Sequence, residues 1–231
     1  MSPSVKGRSY DNSTRASASR ERQALVLAAA RALFLGRGYV RTTMAAIADR
    51  AGVAVDTVYE LVGRKPDLFR LLIETAISGQ DRAVAADDRA YVQQIQAEPT
   101  AAGKLDIYAA ALPALHARLA PLVGVLQAAA SAEPALADLW REIAERRATN
   151  MRRLAAELDA TGRLAVPVDQ AADVIWATNS PELYLLLVGQ RGWTGEQYGS
   201  WLADTWHRTL LRADGSVPAA KWVEGSAPTP N

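Results

Sequence analysis

The chain has 231 residues, of which 49% are hydrophobic and 22% charged, and its net charge is +1. This composition is typical of a globular protein with a sizeable core. The absence of cysteine excludes disulfides, thiolate nucleophiles and thiolate metal sites. We expect a soluble, cytoplasmic protein without a membrane partner, because no apolar run approaches the length of a bilayer span and the polar N-terminus lacks the apolar core of a signal peptide.

Charge is distributed unevenly along the chain. Residues 1–70 contain 12 Lys and Arg against 6 Asp and Glu, a balance of +6, whereas the remaining residues contain 14 against 19, a balance of −5. A basic N-terminal part on an acidic body is typical of a protein that holds nucleic-acid phosphates with one end. Such imbalances also arise by chance, so the charge supports a nucleic-acid function without establishing one.

The N-terminal segment divides into an arm and a helix. Residues 1–19 are rich in Ser, Asn and Arg and lack periodicity, so we expect a disordered basic arm. Ser19 is a plausible helix cap, and the helix that follows is predicted to end at Gly36-Arg37-Gly38. Its inward stripe comprises Leu25, Ala28, Ala29, Ala32 and Leu33.

Two short helices joined by a glycine come next, within residues 20–66. Thr42 or Thr43 can cap the first helix, and Gly52 accepts the left-handed backbone that lets the chain reverse within three or four residues. The second helix is predicted from Val55 to Val62, with its outer side available to a DNA major groove. The predicted inward residues are Met44, Ile47, Ala48 and Ala51 on the first helix and Val58, Leu61 and Val62 on the second.

Fifteen positions in this region share the spacing of a known family: Phe34, Gly38, Tyr39, Thr42, Thr43, Ile47, Ala48, Ala51, Gly52, Val53, Thr57, Tyr59, Gly63, Lys65 and Leu68. On these residues the stretch from about Leu25 to Leu72 resembles the TetR family of bacterial transcriptional regulators. It departs from the family pattern where Ala54 replaces a capping Ser or Thr, and where Leu61 and Val62 replace an aromatic pair.

The resemblance implies an all-α protein. A three-helix helix-turn-helix DNA-binding domain, here residues 20–66, would precede a larger helical domain for ligand binding and dimerisation, here residues 67–213. Residues 214–231 are rich in Gly, Ser and Pro, and we expect a flexible tail.

The resemblance also maps DNA contacts onto particular residues. Thr43, Tyr59 and Lys65 are the phosphate candidates. From the chemistry of base edges, Val55 could pack on a thymine methyl, and Asp56 or Glu60 could accept from a cytosine amino group, although acids also repel phosphates. The full candidate set is Thr42, Thr43, Ala54, Val55, Asp56, Thr57, Tyr59, Glu60 and Lys65.

The larger domain is predicted as a series of helices. One begins at Pro66, and a polar stretch from Asp87 to Pro99 follows it. Pro113 is expected to bend or split the next helix, and Pro121 to begin another. A long helix then runs from Pro134 to about Gly162.

Polar groups interrupt the apolar stripes of these helices, which is the pattern of a pocket for a partly apolar small molecule. Each one alone is more often a satisfied core residue or a solvated one. The candidates for binding a ligand are Tyr108, His116, Trp140, Arg147, Asn150, Trp176 and Asn179.

The C-terminal part is unusually apolar. The segment from Asp169 to Gln190 is apolar around its circumference, and the last helix carries an aromatic stripe. We interpret these helices as the four-helix-bundle interface of a homodimer, while burial within one subunit remains the alternative. The interface candidates are Leu183, Leu187, Tyr198, Trp201, Leu202 and Trp206.

The predicted function is a ligand-responsive transcriptional repressor. It would bind a palindromic double-stranded DNA operator as a homodimer and be released by a small-molecule effector. The alternative is a helical dimeric small-molecule binding or protein-interaction module without DNA binding, favoured by the missing cap at Ala54. We expect no enzyme, cofactor or metal site, because the two histidines, His116 and His207, lie far apart and neither a P-loop nor a dinucleotide glycine pattern occurs.

Overall fold

The computed structural model describes residues 8–212, with side chains from residue 17, and this part of the chain is all-α, as predicted. Its one β feature is an isolated bridge between Leu164 and Leu211. The helices are α1 (Arg8–Arg37), α2 (Met44–Ala51), α3 (Val55–Val62), α4 (Lys65–Ser78), α5 (Ala90–Ala97), α6 (Ala101–Ala130), α7 (Pro134–Asp159), α8 (Val168–Thr178), α9 (Pro181–Tyr184, continued as a π-helix over Leu185–Gln190) and α10 (Gly195–Leu210).

Helix α1 begins earlier than predicted. It includes Arg8 and runs through Ser19 to Arg37, so residues 8–19 are helical and not a disordered arm. Extending an existing helix costs little, because each added residue gains a hydrogen bond once the first turn exists; the packed part of α1 can therefore carry a polar extension. Residues 1–7 and the predicted tail at 214–231 lie outside the described residues.

One apolar core joins the helix-turn-helix to the helices behind it. Phe34, Tyr39 and Phe69 form an aromatic cluster in which the ring centroids of Phe34 and Phe69 are 5.1 Å apart. Phe69 belongs to α4, which also packs against α6. The boundary predicted at residues 66 and 67 therefore falls at a helix that belongs to both parts of the molecule.

A second core fills the body between α5, α6, α7, α8 and α10. Its largest fully buried side chains are Tyr198 and Trp206 of α10. The Trp206 indole nitrogen donates to the Thr178 hydroxyl over 2.7 Å, so the polar edge of the ring is also satisfied inside the body. The polar stretch around Asp87 to Pro99, predicted without a helix, contains α5, whose Ile95 enters this core.

Helix α6 continues through both prolines, so Pro113 does not split it and Pro121 does not begin a new helix. Pro113 cannot donate to the carbonyl of Ala109, and α10 approaches closely there: a Cβ added to Gly199 would lie 3.2 Å from that carbonyl oxygen. Tertiary packing on α4, α5, α7 and α10 holds the helix together despite the missing bonds.

Helix α6 also corrects the expectation about apolar runs. It is long and apolar enough to cross a membrane by length and composition, with a mean hydropathy of 1.5 over its most apolar 18 residues. In this fold, however, it is the central helix of the bundle and buries Lys104 and His116 against its neighbours. Lys104 is satisfied there by the carbonyl of Ile95 at 2.6 Å and by Glu157 at 3.3 Å.

Candidate DNA-binding surface and effector cavity

The turn of the helix-turn-helix is built as predicted. The Thr43 hydroxyl accepts the backbone N–H of Ala46 over 3.1 Å and caps α2. Gly52 ends that helix with φ of 69°, and its N–H reaches the carbonyls of Ala48 and Asp49. These local bonds fix how α3 leaves α2, because they satisfy backbone groups at both ends of α2.

Helix α3 presents its predicted outer side to solvent. Val58 and Val62 are buried, while Val55, Asp56 and Glu60 are exposed and the Tyr59 side chain is 46% exposed. Thr57 is half-buried, and so is Leu61, whose carbonyl accepts from Gln23 of α1. Ala54 precedes α3 without a side-chain hydrogen bond, so the cap is absent as expected from the sequence.

Thr42 is not available to DNA. Its side chain is 1% exposed, and its hydroxyl donates to the carbonyl of Gly38 over 2.8 Å. Of two adjacent threonines that could each cap a helix, Thr43 caps α2 and Thr42 is drawn inward to satisfy the end of α1. Removing Thr42 from the candidate set leaves Thr43 as the hydroxyl at the start of α2.

Lys65 is held by an aromatic ring. Its ammonium lies 4.1 Å from the ring centroid of Tyr39, and the side chain is half-buried. Burial lowers the pKa of Lys65, partly offset by the charge of Glu133. Burial also raises the pKa of Tyr39 to about 12, with Glu133 and Asp67 adding to the effect. Among the described residues Lys65 therefore contacts a ring and makes no ion pair.

Sequence reasoning missed three arginines around the motif. Arg41 precedes α2, Arg50 lies in the last turn of α2, and Arg64 precedes α4; all three are exposed. None makes an ion pair with residues that the structure describes, so their charges are available to phosphates. The signal was present in the uneven charge of the N-terminal 70 residues, which the motif positions alone do not explain.

A cavity of about 110 Å³ lies in the body, bounded by α5, α6 and α7 and reached by Ile77 of α4 and Asn179. Five of the seven residues predicted to bind a ligand line it. They are Tyr108, His116, Arg147, Asn150 and Asn179. The apolar part of the wall comes mainly from Leu112, Leu115, Leu119, Ile143, Met151 and Leu154.

Asn179 is the centre of the polar network at this cavity. Its side-chain oxygen accepts from Arg147 over 2.7 Å, its amide nitrogen donates to the hydroxyl of Tyr108, and its backbone carbonyl accepts from Nε2 of His116 over 2.9 Å. Asn179 lies at the break between α8 and α9, where Ser180 caps the next helix and Pro181 occupies its first turn. The predicted kink at Pro181 therefore positions the network.

Burial sets the charge states of the network. It lowers the pKa of His116 from 6.5 to about 3, with the nearby charge of Arg147 adding to the effect, so the imidazole is neutral at physiological pH. Since a carbonyl can only accept, Nε2 carries the proton, and the buried Nδ1 has no partner among the described residues. Arg147 is cationic, although burial lowers its pKa.

Trp140 and Trp176 do not line the cavity. Trp140 packs against the core shared with the helix-turn-helix, because it precedes Arg147 by seven residues, roughly 10 Å along the helix. Trp176 is 37% exposed and covers Arg147 from outside, with the guanidinium carbon 5.1 Å from the ring centroid. The structure therefore brings five of the seven predicted residues together at one cavity and places both tryptophans outside it, while ligand binding by the five stays a prediction.

The predicted dimer interface divides into two groups. Tyr198, Leu202 and Trp206 are 0% exposed within the single chain, so they cannot face a partner and this part of the prediction is wrong. The stripe of α10 turns inward because α6 and α8 cover it. The other candidates, Leu183, Leu187 and Trp201, remain partly exposed.

Comparison with known proteins is decisive for the N-terminal part. Residues 26–72 match the family model described as bacterial regulatory proteins, tetR family. This chain carries a TetR-family domain. The matched residues cover the helix-turn-helix and its supporting helices, and they include the outward side of α3. Among curated proteins, none matches the chain.

Solved structures show a TetR-like fold beyond this TetR-family domain. NalD, the secondary repressor of the MexAB-OprM multidrug efflux pump in Pseudomonas aeruginosa, is 18% identical, with a TM-score of 0.66 over 85% of this chain and 98% of its own. A Saccharomonospora viridis protein, assigned as a transcriptional regulator and solved with choline, is 18% identical, with a TM-score of 0.63 over 85% of this chain and 100% of its own. SmeT, solved in complex with triclosan, is 19% identical, with a TM-score of 0.62 over 92% of this chain and 100% of its own.

Proposed function

We propose that this chain is a dimeric transcriptional repressor whose DNA binding is controlled by a small molecule. The carrying observation is the outward side of α3, which is exposed on a capped helix-turn-helix while its inner side packs in the core. A helix presented in this way fits the major groove of B-DNA, which admits an α-helix. A cytoplasmic, non-enzymatic role follows from the same proposal.

On DNA, we assign affinity and sequence specificity to different residues. Thr43, Tyr59 and Lys65 would hold phosphates together with Arg41, Arg50 and Arg64, whereas Val55, Asp56, Thr57 and Glu60 would face base edges. Phosphate contacts give affinity in every sequence, and base contacts give preference for one. If a dimer neutralises about six phosphates, log affinity falls against log salt with a slope of roughly −5.

The proposed homodimer would use the partly exposed side of α9 and its π-helical continuation. Leu183 and Leu187 lie there, together with Leu186, which is 48% exposed. The patch is extended by Trp193, whose backbone N–H donates to the carbonyl of Leu187, and by Trp201 of α10, whose ring centroid is 5.9 Å from that of Trp193. An apolar patch of this kind is typical of an interface. Two chains paired across it would read a palindromic operator through their two-fold axis.

Helix α4 connects the cavity to the DNA-binding domain. Ile77 of α4 lines the cavity, and Glu74 of α4 pairs with Arg146, another lining residue, over 2.8 Å. The Arg118 side chain of α6 donates to the carbonyl of Ala76 over 3.1 Å. A ligand that moves α4 would re-space the two recognition helices of a dimer, a coupling of about 1–3 kcal/mol in typical systems.

Gel retardation with the intergenic DNA beside the protein's own gene tests this proposal. The folded dimer is expected to retard that DNA at low salt and not a shuffled duplex of equal length. A dimer that retards neither duplex would favour the alternative, a helical small-molecule binding or protein-interaction module without DNA binding.

A further inference from the structure

The charge of the cavity wall indicates what the cavity binds. The wall carries four arginines and one carboxylate. Arg146 pairs with Glu74, Arg153 pairs with Asp87, and the carboxylate, Glu157, pairs with Lys104. The remaining two arginines, Arg89 and Arg147, make no ion pair with any residue in the described part of the chain. Arg89 instead donates to the carbonyl of Val84.

Arg147 retains free donors. Its Nη2 donates to the carbonyl of Trp176 over 2.8 Å and to the side chain of Asn179 over 2.7 Å. Its Nε and Nη1 have no partner among the described residues, and neither is sealed away from cavity or solvent. A charged guanidinium whose Nη1 has no protein partner can donate charge-assisted hydrogen bonds from that nitrogen to a carboxylate. The charge of Glu182 acts on Arg147, but Glu182 hydrogen-bonds with Gln127 and does not line the cavity.

We infer that the effector is a small organic acid, with an apolar body of up to about six carbons in the leucine-lined part of the cavity and its carboxylate on Arg147. The volume sets this upper limit, since about 110 Å³ is somewhat less than the roughly 150 Å³ that holds benzene in an engineered apolar cavity. A partly buried cation without an acid partner is costly, and an anionic ligand removes that cost. The inference rests on the proposed use of the cavity as an effector site.

Binding of matched acids and amides by the full-length protein tests the inference. The probes are benzoate and hexanoate, their neutral amides, and choline as a cation, each titrated by calorimetry. Either acid is expected to bind at least about tenfold more tightly than its amide, because a hydrogen bond to a charged group contributes more than a neutral one. Choline is expected not to bind. Equal affinity for acid and amide, preferred binding of choline, or no binding of either acid at millimolar concentration would overturn the inference.

Variants of Arg147 test whether the carboxylate of the ligand binds this residue. Arg147→Gln is expected to weaken acid binding about tenfold to a hundredfold while changing amide binding little. Arg147→Lys keeps the charge and should keep part of the preference for acids. The matched control is Arg141→Gln on the same helix, because Arg141 is exposed and pairs with Asp138 outside the cavity. Folded Arg147→Gln that binds acids as wild type does would contradict the assignment; if it does not fold, the acid and amide titrations of the wild type and of Arg147→Lys decide.

DNA binding measured in parallel separates this inference from the proposed function. If acids bind through Arg147 but the dimer retards no DNA, the ligand class stands and the repressor function fails. If DNA is released by neutral or cationic molecules and not by acids, the repressor function stands and the ligand class fails.

Discussion

Helices α3 and α10 are both amphipathic, and the sequence predicted that each would face a second molecule. The structure leaves the outer side of α3 free to do so, with Tyr59 exposed, whereas α10 contradicts the prediction because Trp206 is fully buried in its own chain. The two predictions depend on contacts at different distances in sequence. The orientation of α3 is set by a cap and a glycine turn only a few residues away, whereas an aromatic stripe indicates only that some other surface must cover it. Which molecule supplies that cover depends on helices far away in sequence.

The strongest test of this comparison is Trp206→Glu. If α10 is covered within one chain, the glutamate leaves a buried charge in place of the largest core side chain and destabilises the fold by at least about 4 kcal/mol. The variant should therefore be unfolded or aggregated in circular dichroism and gel filtration, not a folded monomer. A folded, monomeric Trp206→Glu would show that α10 faces the partner after all.

Leu186→Glu is the matched variant on the proposed dimer face. Leu186 is 48% exposed, so glutamate there meets solvent in a single chain and costs the monomer little. We expect a folded protein that sediments as a monomer. A Leu186→Glu protein that remains dimeric at micromolar concentration would place the interface elsewhere.

The same contrast explains how much of the cavity was predictable. Tyr108 and His116 share one face of a helix and are polar in an apolar stripe, so local spacing identified them. Trp140 shares the stripe of Arg147 but faces the other core, because a long helix passes both. The continuity of α6 through Pro113 was also beyond local reasoning, since the packing of α10 that supports it comes from residues about 85 positions away.

Acid sensitivity of the part of the molecule around α10 gives a third test. His116 packs against Tyr198 of α10, with ring centroids 6.1 Å apart, and its pKa is lowered to about 3 mainly by burial. Between its unfolded pKa of about 6.5 and pH 3, the unfolded chain binds a proton that the folded chain excludes, so stability is complete above that window and falls as the pH falls through it.

His116→Gln replaces the titrating imidazole with an amide that binds no proton in this pH range, while keeping an N–H donor for the carbonyl of Asn179. Urea unfolding of wild type and variant should therefore show wild type losing on the order of 3 kcal/mol relative to the variant between pH 7.5 and 4.5. The sign matters, because a raised histidine pKa would give the opposite trend. An identical loss in both proteins would assign the acid sensitivity to other groups.

The smallest effect is expected at α3. Tyr59→Phe removes one hydroxyl from an exposed ring, so it should leave stability unchanged and weaken DNA binding about threefold to tenfold, the effect of one lost hydrogen bond. Because phosphates are the same in every sequence, the loss should be equal for operator and shuffled duplexes in anisotropy titrations. Tyr91→Phe, at the cavity and away from α3, serves as the control and should bind DNA normally.

Lys65→Ala tests the other phosphate candidate, whose ammonium lies over the ring of Tyr39. If Lys65 binds a phosphate, the variant should lose affinity equally for all duplexes, and its salt slope should be shallower by about 1. A loss confined to one duplex would instead make Tyr59 or Lys65 a reader of bases. The outward exposure of α3 would then be correctly predicted, but the residues assigned to phosphate contacts and to base contacts would be wrong.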